Sequence, residues 1–304
     1  MRTGPAYGPD RGAIVASVDA TPPLRSFGQV FDDVAEQYDA ARPGYPAELV
    51  DAALERGGLR AGDEVVEVGC GTGKLTELLA ARGLRVDAVD PGASMIAFAE
   101  RRVGSAPHVR FHVARFEDVD LPAGAYAALF SATAFHWVDP HVGWRKAAAL
   151  LEPGGVLALL MHAHVRDERS DEQERGFREI LRRHAPEVEE TLPPLRDLEE
   201  LLAGAGARRA NASAAWDWLM GEAHELSVPE AADLFADVEL TTTVERVEQT
   251  ADELWAQFRT TSLYFRIDPP RRAAFEADDR RHLEHLGGSL TSSQAAILLT
   301  ARRV

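Results

Sequence analysis

Cysteine is almost missing from this chain: Cys70 is the only one among 304 residues. An internal disulfide and a cysteine-built zinc site are thereby excluded, and a reducing compartment suits the protein. Long apolar runs are missing as well. No window approaches the roughly 20 consecutive apolar residues that a membrane-spanning helix needs. The opening "MRTGPAYGPDRGAIVASVDATPPLRS" does not have the charged-then-apolar order of a secretory signal, so a cytoplasmic protein is expected. It is too rich in Gly, Pro and polar residues to bury a core, and residues 1–26 read as a flexible tail. Positive charge is scarce, with 33 Lys and Arg against 49 Asp and Glu and a formal charge of −16. Such a field repels nucleic acid on average. Acidic residues also interrupt the basic stretch "RRAAFEADDRRH". A small-molecule partner is expected, with neither nucleic acid nor membrane.

The residues that are present alternate in a regular way. "EVVEVG" (64–69), "RVDAVD" (85–90), "VRFHVA" (109–114), "YAALFSA" (126–132) and "VLALLMH" (156–162) read as buried strands. Between them, "KLTELLAARG", "GASMIAFAERRV" and "HVGWRKAAALLEPGG" carry apolar residues at helical spacing. Strands separated by helices pair in parallel through right-handed crossovers, which predicts a doubly wound α/β sheet. Ligands of such sheets bind at the carboxyl ends of the strands, where the strand order reverses. Residues 27–163 are assigned to this core with its N-terminal helices. Residues 164–285 read as a mainly helical cap with some strand. Residues 286–304 alternate like a last strand returning to the sheet.

The turn "VGCGTGK" admits three readings. A phosphate-binding P-loop fails at Val68 and Leu75, where a glycine and a hydroxyl belong. A dinucleotide fingerprint fails at Lys74, where the third glycine belongs. The spacing E-x-G-x-G-x-G remains, with Glu67, Gly69, Gly71 and Gly73 around a cofactor that carries no pyrophosphate. Asp90 ends the second strand 17 residues beyond Gly73. Its carboxylate can accept hydrogen bonds from both hydroxyls of a ribose. Pro91 and Met95 follow, with Met95 placed to lie against an adenine face.

These residues carry a resemblance. Residues 27–163 resemble class I S-adenosylmethionine-dependent methyltransferases that act on small molecules. "VVEVGCGTGKLT" is similar to the family's first motif, "VDAVDPGASM" to its second and "LLEPGGVLAL" to the approach to strand five. The resemblance implies a Rossmann-like, seven-stranded, mostly parallel sheet with its last strand antiparallel, and S-adenosylmethionine as cofactor. "RFHVARFEDVDLP" is similar to the segment that lines the adenine, with Arg115, Phe116 and Glu117 where the family usually reads acid-small-acid. "VAEQYDAARPGYP" resembles the N-terminal helix, which brings Tyr38 and Arg42 to the methionine part of the cofactor. Cys70 and Ser131 join the expected cofactor contacts, and Tyr45 joins the expected substrate contacts.

Strand four ends in "SATAFHWVDP", with His136 and Trp137 after three small residues. A His–Trp pair at this place resembles carboxylate methyltransferases of the trans-aconitate type, although other methyltransferases also carry it. His136 can act as base toward a hydroxyl or amine, donate a hydrogen bond to a substrate carboxylate, or simply pack the loop. In the cap, Arg259, Thr260, Ser262 and Tyr264 offer polar groups to a substrate, and Arg259 can pair with a carboxylate. His162 and His164 have metal-like spacing, but no third ligand is evident nearby, so no metal is expected. The reading is methyl transfer to a small molecule of the kind met in secondary metabolism. The acceptor is expected to be oxygen, with a carboxylate slightly ahead of a hydroxyl. The alternatives are methylation of nitrogen or carbon, a rearrangement or cyclisation without methyl transfer, and an NAD-dependent dehydrogenase.

Overall fold

The computed structural model describes residues 31–167 and 170–304. The expected tail 1–26 lies outside the described residues. The chain enters through a 3-10 turn at Asp32–Val34, α1 (Ala35–Ala41) and α2 (Ala47–Gly57). The core then alternates: β1 (Glu64–Val68), α3 (Lys74–Ala81), β2 (Arg85–Asp90), α4 (Ala93–Val103), β3 (Val109–Val113) and β4 (Tyr126–Ala132). A short 3-10 turn at Phe135–Trp137, α5 (Pro140–Leu150) and β5 (Leu151–Val165) complete this half.

The second half holds α6 (Ser170–His184), α7 (Pro186–Glu189), α8 (Leu198–Ala207), α9 (Ala212–Leu219) and α10 (Ala231–Leu234). After these come β6 (Phe235–Thr250), α11 (Ala251–Phe258), α12 (Ser262–Arg266), α13 (Pro269–His285) and β7 (Ser289–Arg303). The sheet order is β3-β2-β1-β4-β5-β7-β6. Strands β1 to β5 are parallel, and β7 runs antiparallel between β5 and β6. The order reverses between β1 and β4, so a crevice opens beyond their carboxyl ends.

The second half divides differently from its sequence order. Residues 237–250, expected within the cap, belong to β6, which pairs along β7 as the edge strand of the main sheet. Helices α8 to α10 cover one sheet face: Leu201, Ala205, Trp216 and Ala231 share a core with Val66, Leu129 and Leu157. The cap proper is α6, α7 and α11 to α13, built on a separate cluster that includes Leu181, Trp255, Ile267, Phe275 and Leu283. In α9, Trp216 is fully buried under the sheet. Trp218 is stacked between the guanidinium groups of Arg196 and Arg208, 3.6 and 4.1 Å from its ring centre.

One length mismatch shapes the site. The pairing of β4 with β5 ends at Ala132–Leu160, yet β5 and β7 continue together to Val165 and Ser293. β5 therefore overhangs the crevice by five residues, 161–165. Side chains alternate along a strand. Met161 and Val165 join the buried core, and His162 and His164 take the opposite face.

Candidate functional site

The three turn glycines have separate duties. All take positive φ, at 69° for Gly69, 53° for Gly71 and 82° for Gly73. A Cβ on Gly69 would lie 2.3 Å from the Ala134 methyl, and one on Gly73 would lie 2.8 Å from the Ala99 Cα. Those two glycines let the turn pack against the loop after β4 and against α4. A Cβ on Gly71 would meet nothing within 4 Å. Gly71 instead borders a cavity, and its N–H donates to Asp90 Oδ2 at 2.9 Å.

The cavity lies at the reversal of strand order and encloses about 730 Å³ including its open mouth. Tyr38, Arg42, Glu67, Gly69, Cys70 and Gly71, all expected around a cofactor, line it together with Tyr45. Asp90 adjoins it through Gly71, and its second oxygen accepts from Gly92 N at 2.8 Å. Burial pushes the Asp90 carboxyl up, these two N–H groups pull it down, and the nearby Asp32 adds to the rise. Glu67 is almost completely buried and accepts from the Thr76 hydroxyl at 2.7 Å. Burial, opposed by that hydrogen bond and reinforced by Asp90, raises its pKa to about 8. A buried carboxylate with so little compensation calls for a proton or a cation. Desolvation raises the Cys70 thiol well above its ordinary range, which makes it an inert turn residue.

The N-terminal helix is clamped over this turn by groups the sequence reading did not single out. Lys74 Nζ donates to the carbonyls of Asp39 and Arg42 at 2.8 and 2.9 Å. Arg102 joins the Thr72 carbonyl at 3.0 Å to the Asp39 carboxylate at 2.6 Å. Asp32 accepts from Ser94 N and Met95 N at 2.7 and 3.1 Å and thus caps α4 from another part of the chain. Arg42 lies 5.4 Å from the Tyr38 ring centre and donates to both oxygens of Thr260 in the cap.

Other expected residues stand behind or away from the cavity. Ser131 Oγ is fully buried and donates to the Val68 carbonyl at 2.7 Å, tying β4 to β1. Met95 is buried on α4, and Pro91 stays exposed. Phe116 is buried in the sheet core 6.3 Å from Phe135, ring to ring. Arg115 pairs with Glu117 at 2.9 Å, and Glu117 also accepts from Asp139 N. In the cap, Arg259 is committed to Glu276 at 2.5 and 2.7 Å. Tyr264 packs on Phe258 and Phe265 and lies under Arg272. Ser262 opens α12 behind the Thr261 cap. Thr260 is the member of that group that meets Arg42.

His136 is 4% exposed, with its ring 4.6 Å from Trp137 and 4.8 Å from His224. Its Nδ1 is buried without a hydrogen-bond partner. Burial, then His224, then Arg42 push its pKa well below 6.5, so the imidazole is neutral at physiological pH. His224 sits between Glu222 and Glu225, both at positive φ. Neither histidine lines the cavity. His162 and His164 do, as does Thr133, a non-glycine at φ 52° whose hydroxyl accepts from the Tyr45 phenol at 2.9 Å. His162 stacks on Tyr45 with ring centres 5.1 Å apart and hydrogen-bonds the Gly44 carbonyl through Nε2 at 2.9 Å. Among the described residues, no three metal-ligating side chains converge.

The donor set suits a nucleoside that also carries an ammonium group. It offers a carboxylate at the end of β2 for vicinal hydroxyls, a buried acid for an ammonium and a glycine that admits the ligand to the backbone. That is the chemistry of an S-adenosyl amino acid. Residues 66–159 match the family described as methyltransferase domain. An uncharacterised methyltransferase of Mycobacterium tuberculosis is 35% identical over 145 residues, covering 48% of this chain and 56% of that protein. Trans-aconitate 2-methyltransferase of Paracidovorax citrulli is 36% identical over 130 residues, covering 42% and 48%. The chain thus spans about half the length of the curated relatives it matches.

Among solved structures, a type II methyltransferase from Anaeromyxobacter dehalogenans superposes with a TM-score of 0.56 at 22% identity, covering 86% of this chain and 97% of that one. The 4+2 cyclase SpnF superposes at 0.51 with 18% identity, covering 93% and 97%. Both likenesses concern the fold. Fold and site together define a Rossmann-like α/β core of the class I methyltransferase type. Over residues 66–159 the chain carries a methyltransferase domain of the class I type, and S-adenosylmethionine is the cofactor that such a domain takes.

Proposed function

We propose that this chain transfers the methyl group of S-adenosylmethionine to an oxygen of a small molecule, a carboxylate ahead of a hydroxyl. One observation carries the reading: the cofactor-type residues Glu67 and Gly71 share a single cavity with Arg42, Tyr45 and the β5 overhang. Donor and acceptor would therefore meet at one place in the fold. When bound, the cofactor supplies an activated methyl for in-line displacement. The protein then contributes alignment and exclusion of water.

Asp90 would take the ribose hydroxyls and Glu67 the ammonium. Arg42, held to Thr260, fixes the cap over the opening. Tyr45, held by Thr133 and stacked on His162, shapes the acceptor side. His136 lies within the loop after β4, where a neutral, buried imidazole positions that loop and its neighbour Trp137 rather than removing a proton. A carboxylate acceptor is already ionised and requires no base.

The test is incubation with methyl-labelled S-adenosylmethionine and a panel of carboxylic acids, phenols and amines. Label in an acid or phenol together with release of S-adenosylhomocysteine is expected. Binding of the cofactor with no S-adenosylhomocysteine released from any acceptor contradicts the reading and favours a reaction without methyl transfer. Thermal-shift comparison of NAD with S-adenosylhomocysteine separates the dehydrogenase alternative.

A further inference from the structure

The chain as a whole is strongly acidic, with a formal charge of −16. Its cavity has a different balance of side chains. Arg42, Lys74, His162 and His164 line it against one carboxylate, Glu67. Burial holds Glu67 toward its neutral form, and a bound ammonium would neutralise it otherwise. Lys74 and Arg42 spend hydrogen bonds on backbone carbonyls and a hydroxyl. Lys74 also lies 3.9 Å from the Asp39 carboxylate, so Arg42, held by the neutral oxygens of Thr260, supplies the uncompensated charge. In a concave site with low-dielectric walls, the field of the Arg42 guanidinium is focused on the ligand.

We propose that His162 and His164 on the β5 overhang, with Arg42, form a subsite that holds an anionic group of the acceptor. The inference rests on the methyl-transfer reading and names the recognition that reading leaves open. Two observations support it, the shared face and the fixed ring of His162. The two imidazoles sit at alternate positions of one strand and so share its cavity face. Across the sheet, His162 aligns with Ala296 and Thr243, and His164 with Gln294 and Glu245, so Glu245 is the charged side chain that β6 and β7 add to those rows. His162 is oriented by its hydrogen bond to the Gly44 carbonyl and its stacking on Tyr45.

The charge state of the pair responds to what binds. Both imidazoles are depressed, first by desolvation in the concave site, although His164 keeps an exposed edge. Arg42 adds to that at both, His162 adds to it at His164, and the Gly44 carbonyl partly offsets it at His162. The acids within range are Glu245 for His162 and Glu174 for His164. An anion placed between Arg42 and the imidazoles offsets the repulsion, so the complex holds more protons than the free protein. By linkage, affinity for the anion rises as pH falls toward 5.5. A neutral acceptor has no such dependence.

The experiment is calorimetric titration of acetate, succinate and benzoate, each against its amide, into the full chain saturated with S-adenosylhomocysteine. Wild type, His164→Gln and His162→Gln are compared at pH 5.5 and 7.5. At least one carboxylate is expected to bind at least about tenfold more tightly than its amide, as charge-assisted hydrogen bonds imply. It should bind more tightly at pH 5.5 with net proton uptake, and each variant should lose about tenfold in affinity and flatten the pH dependence. Absence of saturable binding by any carboxylate, equal binding of acid and amide, or unchanged affinity in both variants overturns the proposal. Failure of S-adenosylhomocysteine to bind wild type is a separate result and removes the methyl-transfer reading itself.

Discussion

Arg42 and Thr260 stand 218 positions apart in the chain, yet the guanidinium donates to the threonine hydroxyl at 3.0 Å and to its carbonyl at 2.8 Å. The cap is thus fastened to the residue that ends the N-terminal helix and borders the cavity. Removing the fork leaves the Thr260 carbonyl to water and frees the cap edge. Arg42→Ala should weaken S-adenosylhomocysteine binding and raise the acceptor KM, each by about tenfold, as loss of hydrogen bonds to a charged donor implies. Arg42→Lys should recover little, because a point ammonium cannot reproduce the fork. Calorimetry and steady-state kinetics check both outcomes.

Gly71 and Gly73 should separate binding from stability. Gly73→Ala drives a Cβ to 2.8 Å from a backbone atom of α4 in a left-handed turn, so unfolding should become easier by about 3 kcal/mol. Gly71→Ala meets open space and keeps most of the stability, less about 1 kcal/mol for its φ. Its methyl enters the cavity and should weaken S-adenosylhomocysteine by tenfold or more. Thermal melts beside ligand titrations distinguish the two patterns.

Glu67 predicts a pH dependence with a definite sign. Its folded pKa of about 8 lies above its unfolded value, so the folded chain binds the extra proton between about pH 4.5 and 8. Stability contributed by this group is greatest at the acidic end of that window and falls as pH rises through it. The difference is on the order of a few kcal/mol. Glu67→Gln should remove this slope, measured as the difference between wild-type and variant denaturation curves across that range. S-adenosylhomocysteine, whose ammonium replaces the proton, should bind wild type better as pH rises toward 8 and should bind Glu67→Gln more weakly.

His136 tests the role of a base. For a carboxylate acceptor, His136→Gln should lower kcat by less than about tenfold, since only loop positioning is disturbed. A fall beyond about a hundredfold with loss of the acidic limb of the pH–rate profile would assign proton abstraction to it.

Local chemistry made half of the site readable. The glycine spacing, Glu67 and Asp90 lie within one strand-turn-helix and its neighbour, so their spacing alone discriminated among ligands. Tyr38 and Arg42 followed through the resemblance. His162 and His164 did not, because their role depends on how far β5 and β7 outrun β4, a property of pairing and not of any short stretch. Arg259 looked available until the fold brought Glu276 beside it. Helices α8 to α10 follow α6 in sequence and so were grouped with it, but Trp216 and Ala231 bury against the sheet. β6 alternates visibly, and only its long-range pairing with β7 removes it from the cap.

The central claim is that cofactor and acceptor share the cavity between the glycine turn and the β5 overhang. A crystal structure of the complex with S-adenosylhomocysteine tests it most directly. The account predicts ribose hydroxyls on Asp90, the homocysteine amine beside Glu67, and the sulfur facing the space bounded by Tyr45, His162 and His164. Density for the ligand outside this cavity, or a sulfur turned away from that space, would contradict it.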